Sequence, residues 1–130
     1  MFLAVLHLAF DGALAKRRRD AMFLRGWGVQ HLHPTGAALS SLREFPPDVA
    51  VIEAEARPDE VHPVLEVLAQ EPHRRGGHFP LVIVGSVSPR FAGCRDPRTG
   101  PWEVLPPGAS DDEVQAACLR VVTLRREALT

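Results

Sequence analysis

The chain has 130 residues, a size at which a single domain buries more than half of the surface that its unfolded chain exposes. The apolar fraction of 45% and the charged fraction of 24% are ordinary for a globular protein. The formal net charge is −1, so the protein as a whole has no positive potential that would attract it to nucleic acid or to an acidic membrane surface. The apolar start is too short to span a bilayer and lacks the preceding positive charges of a signal peptide. Cys94 and Cys118 form no metal-binding pair, so reduced thiols in a cytoplasm are expected.

The first third of the chain alternates strands and helices. The apolar run Phe2–Phe10 is typical of a strand that is covered on both faces. Residues 12–25 predict a helix that stops at Gly26, and residues 27–33 predict the second strand.

The same alternation continues through the middle of the chain. A short helix capped by Thr35 precedes a third strand over residues 48–53. The next helix has an apolar stripe at helical spacing, formed by Val61, Val64, Leu65 and Leu68. Pro63 fits this helix only if it begins a residue or two earlier, because an interior proline forfeits a hydrogen bond. Residues 79–86 predict a fourth strand.

The last third breaks this rhythm. Residues 86–101 are rich in proline and glycine and show no helical stripe, so we expect the fourth crossover helix to be degraded or replaced by a loop. Residues 102–105 predict a short fifth strand. Ser110 and Glu113 then form a capping box that opens the best-marked helix. Its buried face is predicted to consist of Val114, Ala117, Cys118 and Val121.

These elements predict one α/β domain over residues 1–130, with a parallel sheet that is covered by helices on both faces and joined by right-handed crossovers. Ligands of such open sheets bind beyond the carboxyl ends of the strands. The candidate site residues are therefore Ala9, Phe10, Asp11, Glu53, Glu55, Gly85, Ser86, Leu105 and Pro106.

The stretch RGWGVQHLHPTGAALSSLREFPPDVAVIE, residues 25–53, resembles the receiver domains of two-component response regulators. It is similar in its Gly-aromatic entry to the second strand, in an Ala-Leu pair in the next helix and in the Pro-Asp opening of the third strand. The spacing from Gly26 to Glu53 is the family's spacing from that glycine to its phospho-accepting aspartate. The resemblance covers almost the whole chain and implies a flavodoxin-like, three-layer sandwich of five strands in the order 2-1-3-4-5.

The resemblance also implies where phosphorylation chemistry would lie. In the family, two carboxylates after the first strand help to hold Mg²⁺, and an aspartate that closes the third strand attacks the phosphoryl group. A hydroxyl after the fourth strand and a lysine after the fifth bind the phosphoryl oxygens, since this transfer depends on charge neutralisation.

This chain departs from that pattern in nearly every column. Ala9 and Phe10 occupy the acidic-pair columns with Asp11 one place further on, Glu53 the nucleophile column, Gly85 or Ser86 the hydroxyl column, and Leu105 or Pro106 the lysine column. The only lysine of the chain, Lys16, belongs to the first helix. The phosphorylation machinery is therefore expected to be dismantled, and Glu55 is a further carboxylate of the degenerate pocket.

Glu53 has three interpretations. As a nucleophile it would need metal and cation partners that the sequence lacks. As a built-in mimic of the phosphorylated state it would supply a permanent negative charge. As the end of a strand it would be an ordinary solvated carboxylate.

Two groups of basic or titratable residues admit other roles. His31 and His33 share a face of the second strand beside His7, but no cysteine or carboxylate completes a recognisable zinc spacing, so packed histidines and no metal are expected. The basic run Lys16–Arg19 lacks interleaved aromatic residues and predicts a solvated helix face. Within it, Arg18 lies on the apolar side, where it either snorkels to solvent or pairs with an acidic group such as Asp11.

We therefore expect a phosphorylation-independent, receiver-like signalling domain that is not an enzyme and needs no cofactor. Its expected partners are other cytoplasmic signalling proteins, namely a kinase, an output domain or a regulator, or a second copy of the chain, and neither nucleic acid nor membrane. By resemblance, the contact surface would combine residues 87–101 with the outer side of the last helix, and its contact residues would be Arg90, Phe91 and Trp102.

Two alternatives remain open from the sequence. One is an active receiver that accepts phosphate at an unexpected carboxylate, such as Glu55 or Asp11. The other is a small flavodoxin-like enzyme or ligand-binding module whose pocket is formed by the strand ends around Phe10.

Overall fold

The computed structural model describes residues 2–55, 57–68, 79–85 and 102–128. Strands and helices alternate along these ranges. Their bounds are β1 Ala4–Leu8, α1 Gly12–Phe23, β2 Gly28–Leu32, α2 Gly36–Glu44, β3 Val49–Glu53, α3 Pro58–Leu68, β4 Leu81–Val84, β5 Trp102–Leu105 and α4 Asp111–Ala128. The predicted degraded crossover over residues 86–101 lies outside the described residues, as do Ser86, Arg90 and Phe91.

The five strands form one sheet in the order β2-β1-β3-β4-β5, and every neighbouring pair is parallel. The predicted order 2-1-3-4-5 is thus confirmed. His7 of β1 is in register with His31 of β2 and with Val51 of β3. Because all strands run the same way, their C-terminal ends meet along one side of the sheet, which we call the carboxyl edge.

Helices cover the sheet on both sides. Side chains alternate along each strand, so Val5, Val51 and Val84 point toward α1 and α4. Leu6, Ile52 and Ile83 point the other way and pack with residues of α2 and α3. The interior strands β3 and β4 are buried at every position, which explains their continuous apolar runs. The predicted three-layer arrangement is confirmed.

Local signals in the sequence set most helix ends. Gly26 has φ +80°, a conformation that favours glycine, and it follows α1 where the stop is predicted. The N-cap hydrogen bond of the predicted capping box is present, because Glu113 N donates to Ser110 Oγ at 3.1 Å. The Glu113 carboxylate accepts from the hydroxyl of Ser110, with a distance of 3.2 Å from Oγ to Oε1. The predicted buried face of α4 is confirmed at Val114, Ala117, Cys118 and Val121.

Two local expectations differ from the structure. The helix α3 begins at Pro58, so Pro63 lies in its interior and the helix forgoes one backbone hydrogen bond there. The complete burial of Val61, Leu65 and Leu68 against the sheet explains why the helix nevertheless continues. Thr35 is the N-cap residue of α2, but its side chain makes no capping hydrogen bond.

Burial strongly affects the cysteine in the last helix. Cys118 is fully buried between α4 and the sheet. This burial raises the pKa of its thiol to about 12, so the reactive thiolate form is scarce. Within the described ranges, none of the helices combines the length and apolar character that crossing a bilayer requires.

Candidate functional site

Glu53 closes β3, and its side chain points toward the layer of α1 and α4. It is only 6% exposed, so it is not the solvated strand-end carboxylate of the third interpretation. Its Oε1 atom lies 3.1 Å from His7 Nε2 and also accepts a hydrogen bond from Arg18 Nε. Burial opposes ionisation of Glu53, but the hydrogen bonds from His7 and Arg18 and the charge of Arg18 outweigh it, and its pKa lies below the usual value.

Arg18 is the cation of this site, and it comes from the middle of α1. Its side chain is 2% exposed. Besides Glu53 it binds Asp111 Oδ1 through Nη1 at 2.9 Å and the carbonyl oxygen of Ala109 through Nη2 at 3.2 Å. Of the two roles left open by the sequence, Arg18 therefore takes the paired one, with Glu53 and Asp111 as partners instead of Asp11. We call His7, Arg18, Glu53, Ala109 and Asp111 the Arg18 cluster.

A row of aromatic rings extends from this cluster across β1 and β2. The ring centroids of His7 and His31 are 5.6 Å apart, and those of His31 and His33 are 6.1 Å apart. Burial lowers the pKa of His31, and the nearby His7 acts in the same direction. Atom Nδ1 of both His7 and His31 is buried without a hydrogen-bond partner among the described residues.

These histidines do not assemble a metal site in the described part of the chain. There, no group of three or more histidine, cysteine, aspartate or glutamate side chains could hold a metal ion. The carboxylate nearest to His7, Glu53, is already bound to Arg18. What the structure describes is a set of ring contacts from His7 to His31 and from His31 to His33.

The acidic-pair columns are filled by apolar groups. Ala9 is buried, and its backbone N donates to Leu32 O at 3.2 Å. Phe10 is half-buried, with the guanidinium of Arg57 4.7 Å from its ring centroid and the ring of His33 5.4 Å away. A cation over the face of an aromatic ring is attracted by its quadrupole. At this point of the carboxyl edge, the positively charged Arg57 therefore lies over the aromatic ring of Phe10.

The carboxylates of Asp11 and Glu55 both accept hydrogen bonds from backbone N–H groups. Asp11 is the N-cap of α1, and its Oδ1 accepts from Ala13 N at 2.9 Å and from Leu14 N at 3.2 Å. Oε1 of Glu55 accepts from Gly108 N at 2.7 Å, which ties the segment after β3 to the loop before α4. Each carboxylate thus provides a hydrogen-bond acceptor for backbone amides at the start of a helix or in a loop.

Gly85 is one of the two residues predicted for the hydroxyl column, and the fold requires glycine at position 85. Its φ is +119°, and a Cβ atom would stand 2.8 Å from Glu55 Cγ and 3.2 Å from Glu55 N. In the lysine column, Leu105 is buried, and its carbonyl oxygen accepts from Gly85 N at 2.9 Å. Pro106 follows it, and its carbonyl oxygen accepts from Ala109 N at 3.3 Å.

Sequence comparison by columns missed the partners of Glu53. In the column pattern the cation belongs near the fifth strand, where the lysine is missing. In the structure the cation is Arg18, which comes from α1. The signal was partial: Arg18 stands on the apolar side of the helix, four residues from both Leu14 and Met22. That position indicates a buried partner without identifying it.

The described part of the expected contact surface lies on β5 and α4. Trp102 is half-buried at the start of β5. Next to it, Arg120 forms an ion pair with Glu103, with an Nη2 to Oε1 distance of 2.6 Å. On α4, a shallow apolar depression of about 380 Å³ is lined by Leu119, Arg120, Thr123 and Leu124.

No protein-family model and no curated protein matches this chain. Solved structures do match. The beryllofluoride-activated NtrC receiver domain superposes with a TM-score of 0.71 at 19% identity, over 92% of this chain and 94% of that one. A signal receiver domain from Bermanella marisrubri gives 0.70 at 16% identity, over 92% and 97%. A sensor protein from Polaromonas sp. JS666 gives 0.71 at 10% identity, over 98% of both chains.

A longer protein contains a similar unit. NtrX from Brucella abortus, solved with ATP, gives a TM-score of 0.70 at 13% identity over 98% of this chain, which spans 29% of NtrX. At these identities the likeness concerns the fold. The chain has the flavodoxin-like fold of response-regulator receiver domains.

Proposed function

We propose that this chain is a receiver-like domain of two-component-type signal transduction that works without phosphorylation, by binding other signalling proteins. The state of Glu53 carries this proposal. A carboxylate that attacks a phosphoryl group must reach it, and Glu53 is 6% exposed. Its Oε1 atom is also occupied by donors from His7 and Arg18.

The other strand ends do not fit the Mg²⁺ ion that the fold family implies. Magnesium requires several oxygen ligands in near-octahedral geometry. Where the family has its acidic pair, this chain has the methyl group of Ala9 and the ring of Phe10, and the guanidinium of Arg57 lies over that ring. Asp11 is directed to the first amides of α1. At the described end of β1, the side chains are therefore apolar or, in Asp11, engaged with backbone amides.

In this proposal Glu53 supplies a permanent negative charge in the column where phosphorylation would create one. The charge is compensated inside the protein by Arg18. The domain is then an adaptor with no enzyme activity, whose partners are a kinase, an output domain or a regulator. The binding surface would include Trp102 and the apolar depression on α4.

Acetyl phosphate provides the direct test. The chain is incubated with acetyl phosphate and Mg²⁺ and its intact mass is measured, with a receiver domain that retains all the phosphorylation residues as the positive control. We expect the mass to stay unchanged. A stable phospho-adduct that disappears in Glu55→Gln or Asp11→Asn would instead establish the active-receiver alternative.

Binding tests the surface separately. Proteins cross-linked to the chain are identified by mass spectrometry, and their binding is then measured with Trp102→Ala and Leu124→Ser. We expect weaker binding in both variants, while Glu44→Gln, a change of an exposed residue on α2, binds normally. If every identified interaction survives both changes, the proposed surface is wrong.

A further inference from the structure

One arginine connects three elements of the fold. Arg18, in the middle of α1, donates to Glu53 at the end of β3. It also donates to the carbonyl oxygen of Ala109 at 3.2 Å and to Oδ1 of Asp111 at 2.9 Å, where α4 begins. The guanidinium is thus the point at which α1, β3 and the start of α4 meet.

Burial distinguishes Arg18 from its neighbour. Arg17 also reaches Asp111, with a distance of 3.3 Å from Nε to Oδ2, but its side chain is 59% exposed. Exposed ion pairs of that kind contribute little. Arg18 is 2% exposed, and an arginine cannot escape burial by losing its proton. Its position is therefore dictated by its acceptors.

The loop before α4 is held from two sides. Glu55, beyond the end of β3, binds the backbone N of Gly108 at 2.7 Å. Arg18 binds Ala109 and Asp111 a few residues further on. Asp111 lies in the first turn of α4, where a negative charge favours the helix dipole. The start of this helix thus depends on contacts with β3 and α1.

We propose that Arg18 couples the charge at residue 53 to the N-terminal end of α4, so that Glu53 holds this end in one fixed position. The inference rests on the proposed function, because it explains how a domain that is not phosphorylated keeps a single signalling conformation. A glutamine at residue 53 can still accept a hydrogen bond from Arg18, but it lacks the negative charge that strengthens this bond. The guanidinium then ties the start of α4 to β3 more weakly.

Double-mutant cycles test this coupling. Glu53 and Asp111 share Arg18 as a partner, and no hydrogen bond joins them to each other among the described contacts. Urea unfolding of the whole chain, Glu53→Gln, Asp111→Asn and the double variant should be non-additive by at least about threefold in the unfolding equilibrium constant. The coupling should persist in an Arg17→Met background and vanish in an Arg18→Met background.

Two outcomes of the cycles overturn the proposal. The first is additivity in the presence of Arg18. The second is equal non-additivity in the Arg18→Met background, which would assign the effect to direct repulsion between the two carboxylates.

Hydrogen exchange provides a test that does not need Arg18→Met to fold. The amides of Ala109, Glu113 and Val114 donate to Pro106 O, Ser110 Oγ and Ser110 O, and in Glu53→Gln they should exchange at least about tenfold faster than in the unaltered chain. The control is Glu60→Gln, an exposed glutamate on α3, in which these amides should be unchanged. Equal protection in both variants overturns the proposal. Neither measurement involves phosphate or a partner protein, so a failure here leaves the proposed function to the acetyl phosphate experiment.

Discussion

At residue 53 a glutamate ends a strand that is buried at every position, and the direction of its side chain decides its role. Side chains along a strand alternate, so residue 53 points to the same face as Val49 and Val51, where α1 and α4 pack. The alternation could be predicted from the sequence. The partner could not, because Arg18 stands 35 residues earlier and is identified only when α1 is placed over the sheet.

Gly85 provides a prediction about a single residue. Gly85→Ala forces a side chain into φ +119° and places its Cβ 2.8 Å from Glu55 Cγ, so we expect a loss of about 1–3 kcal/mol in the free energy of unfolding. Urea denaturation followed by circular dichroism measures it. In the matched control, Gly12→Ala, nothing lies within 4 Å of the new Cβ, and stability should not fall. Equal stability of the two variants would contradict the described geometry at Gly85.

Among the elements, α4 was predicted best and α3 least well. The start of α4 depends on a capping box and its buried face on helical spacing, and both signals lie within a few residues of each other. For α3, the conflict between Pro63 and the stripe of apolar residues was settled by packing against the sheet. That packing outweighed the local preference, which a sequence window cannot show.

The two N-caps give a matched prediction about elements. Ser110→Ala removes the hydroxyl that accepts from Glu113 N, and it should lower the free energy of unfolding by about 1 kcal/mol. Thr35→Ala should have a much smaller effect, because the Thr35 side chain makes no capping hydrogen bond. Thermal or urea unfolding compares them. A larger loss for Thr35→Ala would show that the capping assignments are reversed.

For the molecule as a whole, a parallel sheet covered by helices on both faces could be predicted because apolar runs and helix stripes are local patterns that permit few topologies. The resemblance supplied the order of the strands, and the structure confirms it. For the site, the sequence predicted which residues occupy the family's functional positions but not which side chains contact one another. Its contacts join residues as far apart as Arg18 and Asp111, 93 positions along the chain, so they depend on the assembled fold.

The stability of the whole domain should fall in acid in two stages. The pKa of His31 is lowered from 6.5 in the folded chain, so below pH 6.5 the unfolded chain binds a proton that the folded chain resists, and stability decreases. The pKa of Glu53 is lowered from 4.5, so a second decrease follows below pH 4.5 as the unfolded chain protonates first.

Urea midpoints measured between pH 8 and pH 3.5 test both stages. His31→Gln should weaken the first decrease and leave the second, whereas Glu53→Gln should weaken the second. If His31→Gln leaves the profile between pH 5 and pH 6.5 unaltered, the burial of this imidazole does not contribute to acid sensitivity.

The thiol of Cys118 gives the last helix a chemical reporter of its own. Since the group is fully covered and its pKa is raised to about 12, an alkylating reagent modifies it only in molecules whose last helix has left the sheet. With Cys94 replaced by serine, the alkylation rate then equals the fraction of such molecules multiplied by the intrinsic thiol reactivity. The alkylation rate therefore measures how often the last helix detaches from the sheet, under conditions in which spectroscopy detects only the folded form.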